Sequence, residues 1–357
     1  MTRELIIDGH RIADDTDCYV IAEIGHNHQG DLEKARQLFH RAKECGVHAV
    51  KLQKRDNRSL YTAEMYNRPY DNENSFGRTY GEHRDFLEFG REQYQELQQT
   101  ARQLGLTFFA TAFDVPSADF LESLEMPAYK LASGDLRNLP LLRHVARFQK
   151  PVIFSTGAAS MGEVERAYEA ITAINPQVAI LQCTASYPTE PEDMHLGVIG
   201  SFRERFPTAV VGLSDHSNGI AMSVVAYMLG SRIIEKHFTL NHTWKGTDHA
   251  LSLEPIGMHK MVRDLQRARV AVGDATKHPL PIEGSALTKM GKKLVAARAL
   301  PAGHVMNAAD IAIKSPGDGL APTELEVVIG RRLLHALAPD ASISLEAFEP
   351  SSAAVKV

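Results

Sequence analysis

Cysteine is scarce in this chain of 357 residues: Cys18, Cys45 and Cys183 are odd in number and scattered, which excludes a disulfide framework and a thiolate zinc site. A reducing, cytoplasmic setting fits that usage. Long apolar runs are also missing. None approaches the roughly 20 residues that span a bilayer, and Met1 to Ile7 has no signal-peptide core, so neither membrane insertion nor export is expected. Nor does charge accumulate: a net charge of -5 and a pI near 6.3 leave no footprint for nucleic acid or an anionic membrane. An anionic small molecule would have to be met by local basic residues. A Gly-rich dinucleotide fingerprint is absent as well, since the first strand-like run continues as Glu23-Ile24-Gly25-His26-Asn27-His28-Gln29-Gly30.

What is present is a repeating unit. With 44% hydrophobic and 23% charged residues the composition is that of an ordinary globular protein. Short β-branched runs recur at Tyr19 to Ile24, His48 to Gln53, Thr107 to Ala112, Ala128 to Ser133, Pro151 to Thr156, Val178 to Thr184, Ala209 to Asp215 and Arg232 to Phe238. Segments of helical periodicity lie between them; in Asp31 to Cys45, Leu32, Ala35, Leu38, Phe39 and Ala42 trace one face. Buried strands alternating with helices demand parallel pairing. Eight such units predict a (β/α)8 TIM barrel of about 250 residues, here residues 1–273. Pro279 and Pro281 mark a linker over 274–292, and 293–357 reads as a small β-rich domain. Within it, Ala299-Leu300-Pro301-Ala302-Gly303 is echoed by Ala336-Leu337-Ala338-Pro339-Asp340, which predicts a pseudo-twofold organisation.

Polar residues gather at the C-terminal ends of the strand runs: Glu23, Lys51 and Gln53, Thr111, Lys130 and Ser133, Ser155, Thr184, Ser214 and Asp215, and His237. An unpartnered buried lysine or glutamate is costly, so these ends imply a shared polar cavity at the face where barrel enzymes keep their sites. A single histidine ending an apolar run is ordinarily a packing residue. His216 and His237 instead end consecutive units amid Asp, Glu and Lys, and two imidazoles with no thiolate in reach suit an open first-row divalent site for Lewis-acid chemistry. Lys51 and Lys130, with hydroxyls from Thr111, Ser133, Ser155, Thr184, Ser186 and Ser214, form a candidate phosphate or carboxylate cradle. A Schiff-base aldolase using either lysine is the competing chemistry, and the two histidines count against it because such an enzyme has no need of a metal. The connection over 54–90 is long, polar and aromatic, which reads as an ordered substrate loop.

These residues carry a resemblance. Ile21-Ala22-Glu23-Ile24-Gly25 with Asn27-His28 and Gly30, Val50-Lys51 with Gln53, Tyr129-Lys130-Leu131-Ala132-Ser133-Gly134, Ser155-Thr156-Gly157, Cys183-Thr184 with Tyr187-Pro188, Gly212-Leu213-Ser214-Asp215-His216 and Glu235-Lys236-His237-Phe238-Thr239 resemble the signature blocks of the sialic acid synthase family, spore coat polysaccharide members included. Lys314-Ser315-Pro316-Gly317-Asp318-Gly319 and Ile329-Gly330-Arg331 resemble the antifreeze-like (SAF) domain that follows the barrel there. The resemblance implies condensation of phosphoenolpyruvate with an N-acetylhexosamine-like aldose for surface polysaccharide biosynthesis, in a homodimer whose SAF domain reaches over the partner's barrel. It implies catalytic roles for Glu23, Lys51, Asp135, His216 and His237, with the two histidines holding a divalent metal, manganese first and magnesium, cobalt or zinc as alternatives. Lys51, Thr111, Lys130, Ser133, Ser155, Thr184 and Ser214 would surround phosphoenolpyruvate, with Ser186 a further candidate substrate-binding hydroxyl. Gln53, Tyr187, Asp248 and Lys314 would face the sugar. Asp135 stands where the family commonly has glutamate, and Lys314-Ser315 where it usually has arginine, so the acceptor stays open. A 3-deoxy-ulosonate synthase acting on another or a phosphorylated aldose, and a catalytically silent sugar-binding barrel, are the alternatives.

Overall fold

A hairpin precedes the repeating units in the computed structural model, which describes residues 3–350. Its strands β1 (Glu4–Ile7) and β2 (His10–Ala13) pair antiparallel. Eight parallel strands then close into a barrel: β3 (Tyr19–Gly25), β4 (Ala49–Lys54), β5 (Thr107–Ala112), β6 (Tyr129–Leu131), β7 (Val152–Ser155), β8 (Val178–Cys183), β9 (Val210–Asp215) and β10 (Ile233–His237), with β10 pairing back onto β3. Every strand lies within a run that the sequence pattern marks, give or take a residue.

Period 2 splits each strand into an inward and an outward row. The inward rows begin apolar. Tyr19, Ile21, Ala49, Phe109, Ala128, Ile153, Ala179, Leu181, Val210 and Ile233 fill the barrel's lower half, and Leu5, Ile7 and Ile12 of the hairpin plug it from below. Each such buried aliphatic side chain contributes ~1.5–3 kcal/mol. The outward rows pack on helices such as Leu32–Glu44, which Asp31 caps and whose Ala35, Leu38, Phe39 and Ala42 are buried. With the lower half sealed, the inward polar residues of the upper half have one place to go, the C-terminal mouth.

The connection after β4 is not structureless. It folds into short helices at Asn57–Leu60, Ala63–Asn67 and Tyr80–Leu87, tied by Asn57 and Tyr66 to the Asp85 carboxylate and capped at Thr79.

The chain divides into two compact units, 1–273 and 274–357. In the second, the stretch expected as a linker contains a helix, Gly284–Met290. Strands β11 (Lys293–Ala296) and β12 (Ile311–Lys314) pair antiparallel over a core of Leu294, Met306, Val328, Leu333, Ile343 and Phe348. The sequence echo is visible here as symmetry: the equivalent residues Leu300 and Leu337 face each other and exchange both backbone hydrogen bonds at 2.9 Å.

Candidate active site

The mouth of the barrel holds a cavity of about 530 Å³. Its floor is a chain of buried opposite charges on adjacent inward positions. Lys51 Nζ stands 2.5 Å from Glu23 Oε2 and 3.7 Å from Glu235 Oε2, and Lys130 Nζ stands 3.8 Å from Glu235 Oε1. Hydroxyls back both lysines: Lys51 donates to Thr111 at 2.8 Å and Lys130 to Ser155 at 2.6 Å. Ser214 donates to Glu235 at 3.0 Å, and Gln53 donates to Glu23 at 2.7 Å.

The two glutamates diverge. Burial pushes Glu235 up, but Lys130 and Lys51 outweigh it and hold the carboxyl at about 2. For Glu23, burial dominates the pull of Lys51, and the nearby Glu235 charge adds to it, so its pKa is raised. The same side-chain type is thus driven in opposite directions at two neighbouring positions, Glu235 down by the lysines and Glu23 up by burial.

His216 and His237 stand over this floor with ring centroids 5.3 Å apart, and the exposed Tyr187 ring lies 4.3 Å from His216. His216 Nδ1 faces the Thr184 carbonyl at 3.1 Å, which places its proton on Nδ1 and leaves the Nε2 lone pair free. His237 Nδ1 is buried with no hydrogen-bond partner, 3.8 Å from Asp248 Oδ2. Burial keeps His237 neutral by lowering its pKa, against the attraction of Asp248. Two adjacent imidazoles, with His237 Nδ1 buried and unpartnered and His216 Nδ1 tied to the Thr184 carbonyl, fit a divalent cation. Among the described residues no set of three His, Cys, Asp or Glu side chains encloses such an ion, so any remaining positions would fall to substrate or water.

Behind the histidines, on the outward face, Lys236 and Asp215 form a fully buried ion pair at 2.9 Å; Asp215 also accepts from Ser217 and Ser223. This network fixes the turn that carries His216.

The cavity brings together Glu23, Lys51, Gln53, Thr111, Lys130, Ser133, Ser155, Tyr187, Ser214, His216, His237 and Asp248. Other expected residues lie off its lining. Asp135 ends a short 3-10 turn and is engaged with Asn138, with burial pushing its pKa up to about 6. Thr184 turns its hydroxyl to the Asp193 carbonyl, and Ser186 bonds its own loop at Pro188. Lys314 belongs to the second unit, on β12, paired with Asp340. Glu235, Arg55 and Arg84 line the cavity but were not among the expected site residues. Glu235 shares an inward row with His237 two positions on, a signal the period supplies. Arg55 continues the row of Lys51 and Gln53 past the end of β4. Arg84 gives no local signal, because only the folded 54–90 segment brings it to the rim.

A TIM-barrel mouth that gathers two buried, hydroxyl-backed lysines beside an imidazole pair is the class of site suited to phosphorylated or carboxylated small molecules. Comparison with known proteins is more specific. The model of the NeuB family matches residues 38–277, and that of the SAF domain matches 293–349. N-acetylneuraminate-9-phosphate synthase of Mus musculus is 38% identical over 340 residues, 95% of each chain. N,N'-diacetyllegionaminic acid synthase of Legionella pneumophila is 32% identical over 93% of this chain and 95% of its own. Among solved structures, the N-acetylneuraminic acid (sialic acid) synthetase of Leptospira borgpetersenii, in complex with citrate, superposes with a TM-score of 0.70 at 30% identity, covering 80% of this chain and 95% of that one. The chain belongs to the NeuB family and is an enzyme of the sialic acid synthase type with a C-terminal SAF domain.

Proposed function

We propose that this enzyme condenses phosphoenolpyruvate with an aldose of the N-acetylhexosamine type, giving a sialic-acid-like nonulosonic acid and inorganic phosphate for a surface polysaccharide. The observation that carries the reading is one cavity with two kinds of wall: hydroxyl-backed Lys51 and Lys130, and the free nitrogens of His216 and His237. The enol carbon bonds to the aldehyde carbon, whose oxygen takes up a proton. Water adds to the oxocarbenium-like carbon that remains and gives up a proton. The C–O bond to the phosphoryl group then breaks, leaving the 2-keto acid and phosphate.

Lys51 and Lys130, with Thr111, Ser133, Ser155 and Ser214, hold the phosphoryl and carboxylate oxygens. Glu23, raised by burial, passes the proton at the reacting end. Gln53, Tyr187 and Asp248 face the sugar hydroxyls. A divalent cation at His216 and His237, manganese first, supplies Lewis-acid polarisation of the aldehyde when bound. A homodimer and a cytoplasmic location complete the reading and rest on family membership.

The test is aldose-dependent phosphate release from phosphoenolpyruvate with manganese, across a panel of N-acetylhexosamines and other aldoses. Release with at least one aldose is expected; none with any of them would sink the proposal.

A further inference from the structure

Three segments meet beside His237: the turn after β3, the 54–90 segment and the loop over 239–253. That loop brings Thr247 and Asp248 into the cavity lining, yet residues 241–252 form only turns and bends. Asp248 Oδ2 stands 3.8 Å from His237 Nδ1, beyond hydrogen-bond reach, and its Oδ1 accepts from the neighbouring Thr247 hydroxyl at 3.0 Å. The imidazole therefore does not fix the carboxylate. Its place is set by whatever holds the loop backbone.

The turn after β3 holds it by two routes. Inside, the buried Asn27 donates from Nδ2 to the Phe238 carbonyl and to Ser252 Oγ, both at 2.9 Å, and Ser252 donates on to the Asp248 carbonyl at 2.6 Å. Outside, Gln29 uses both ends of its amide: Oε1 accepts from Lys34 Nζ, and Nε2 donates to the Lys245 carbonyl at 2.7 Å. Lys34 also lies over the half-buried Trp244 ring, 4.9 Å from its centre. The 54–90 segment closes the far side. Asn74 Oδ1 accepts from the Gly246 amide at 2.9 Å, and Lys245 Nζ lies over the Phe76 ring at 5.0 Å.

Gln29 keeps this position against its backbone preference. Its φ of +55° lies in the left-handed region, where a residue with a side chain is strained and glycine is not. Glycine would suit the turn but could not bridge Lys34 to Lys245. The strained glutamine is explained by what its amide joins.

We propose that Gln29 is a positioning residue for the acceptor: from the turn after β3 it buttresses the 239–253 loop and so sets where Asp248 stands against His237. That Asp248 serves the acceptor rests on the synthase reading. Lys51 and Lys130, held by Thr111 and Ser155, depend on other partners, so the phosphoenolpyruvate end should not respond.

Trp244 is the only tryptophan of the chain, so tryptophan emission reports this loop alone. Two variants separate positioning from folding. Gln29→Gly and Gln29→Ala both lose the bridge, but glycine relieves the backbone strain and alanine keeps it, so Gln29→Gly should melt at the higher temperature of the two. Both should nevertheless share one defect. Trp244 emission should shift to the red and become more open to acrylamide quenching. KM for the aldose should rise roughly 3- to 10-fold, as for the loss of one neutral hydrogen bond, with KM for phosphoenolpyruvate unchanged. Unchanged emission, an unchanged aldose KM, or a phosphoenolpyruvate KM that rises equally overturns the proposal. A defect confined to Gln29→Ala does so too, since it would reflect lost stability alone. If no aldose drives phosphate release, the synthase reading fails, and Trp244 still decides the buttress: a red shift with raised quenching in both variants supports it, and unchanged emission and quenching reject it.

Discussion

Glu23 and Glu235 show how one side chain takes two roles at neighbouring positions. Glu235 sits between two lysines and stays ionised, whereas Glu23 shares Lys51 with it and bears the larger net cost of burial. Replacing Glu23 with Gln keeps the hydrogen-bonding shape and removes the exchangeable proton, so kcat should fall by about 10²- to 10⁴-fold with little change in KM for phosphoenolpyruvate. Steady-state kinetics with both substrates checks this; an unchanged kcat would remove Glu23 from the chemistry. The histidines make a separate prediction. His216→Ala and His237→Ala should each lose stoichiometric manganese, read by elemental analysis of the dialysed protein, as well as activity. Full metal content in either variant would place the ion elsewhere.

The 54–90 segment is held at its end by one carboxylate. Burial pushes Glu88 up, but the His26 hydrogen bond with Lys54 and Arg55 outweighs it and lowers the group from 4.5 to about 2. A depressed carboxyl stabilises the fold above its unfolded value, and that stability drains as pH falls from about 4.5 toward about 2. Its size is about 2–3 kcal/mol. Glu88→Gln should therefore be less stable near pH 7 and show a shallower loss of stability over that acid window, measured by urea unfolding. An identical acid slope would show that Glu88 is not the anchor. This segment also marks the limit of what sequence reveals. The barrel strands were legible because a strand sealed below and polar above writes its inward row at period 2, as Ala49, Lys51 and Gln53 do. The hairpin β1–β2 was not, since two four-residue strands carry too few periods to stand out. Residues 54–90 gave an aromatic, polar composition and no period, because their order comes from distant partners such as Tyr66 with Asp85. Arg84 was hidden for the same reason. Glu235 was readable from its spacing to His237, yet its role depends on two lysines from other strands.

At the scale of the whole molecule, charge and site pull in opposite directions. A net charge of -5 repels an anionic substrate at long range, while the lysines that would hold it are buried at the mouth. Screening acts strongly on the first and weakly on the second: the Debye length shrinks from about 30 Å at 0.01 M to about 10 Å at 0.1 M ionic strength, whereas buried pairs are screened much less. Steered enzymes lose association rate steeply as salt rises. This one should not. Between about 0.01 and 0.1 M KCl, kcat/KM for phosphoenolpyruvate should stay within about 3-fold or rise, because salt removes the global repulsion before it touches the local attraction. Initial rates at subsaturating phosphoenolpyruvate, with the acceptor saturating, measure this directly. A tenfold fall over that range would mean that exposed cations capture the substrate, and the buried floor of Lys51 and Lys130 would then be too small a part of the anion site to carry the proposal.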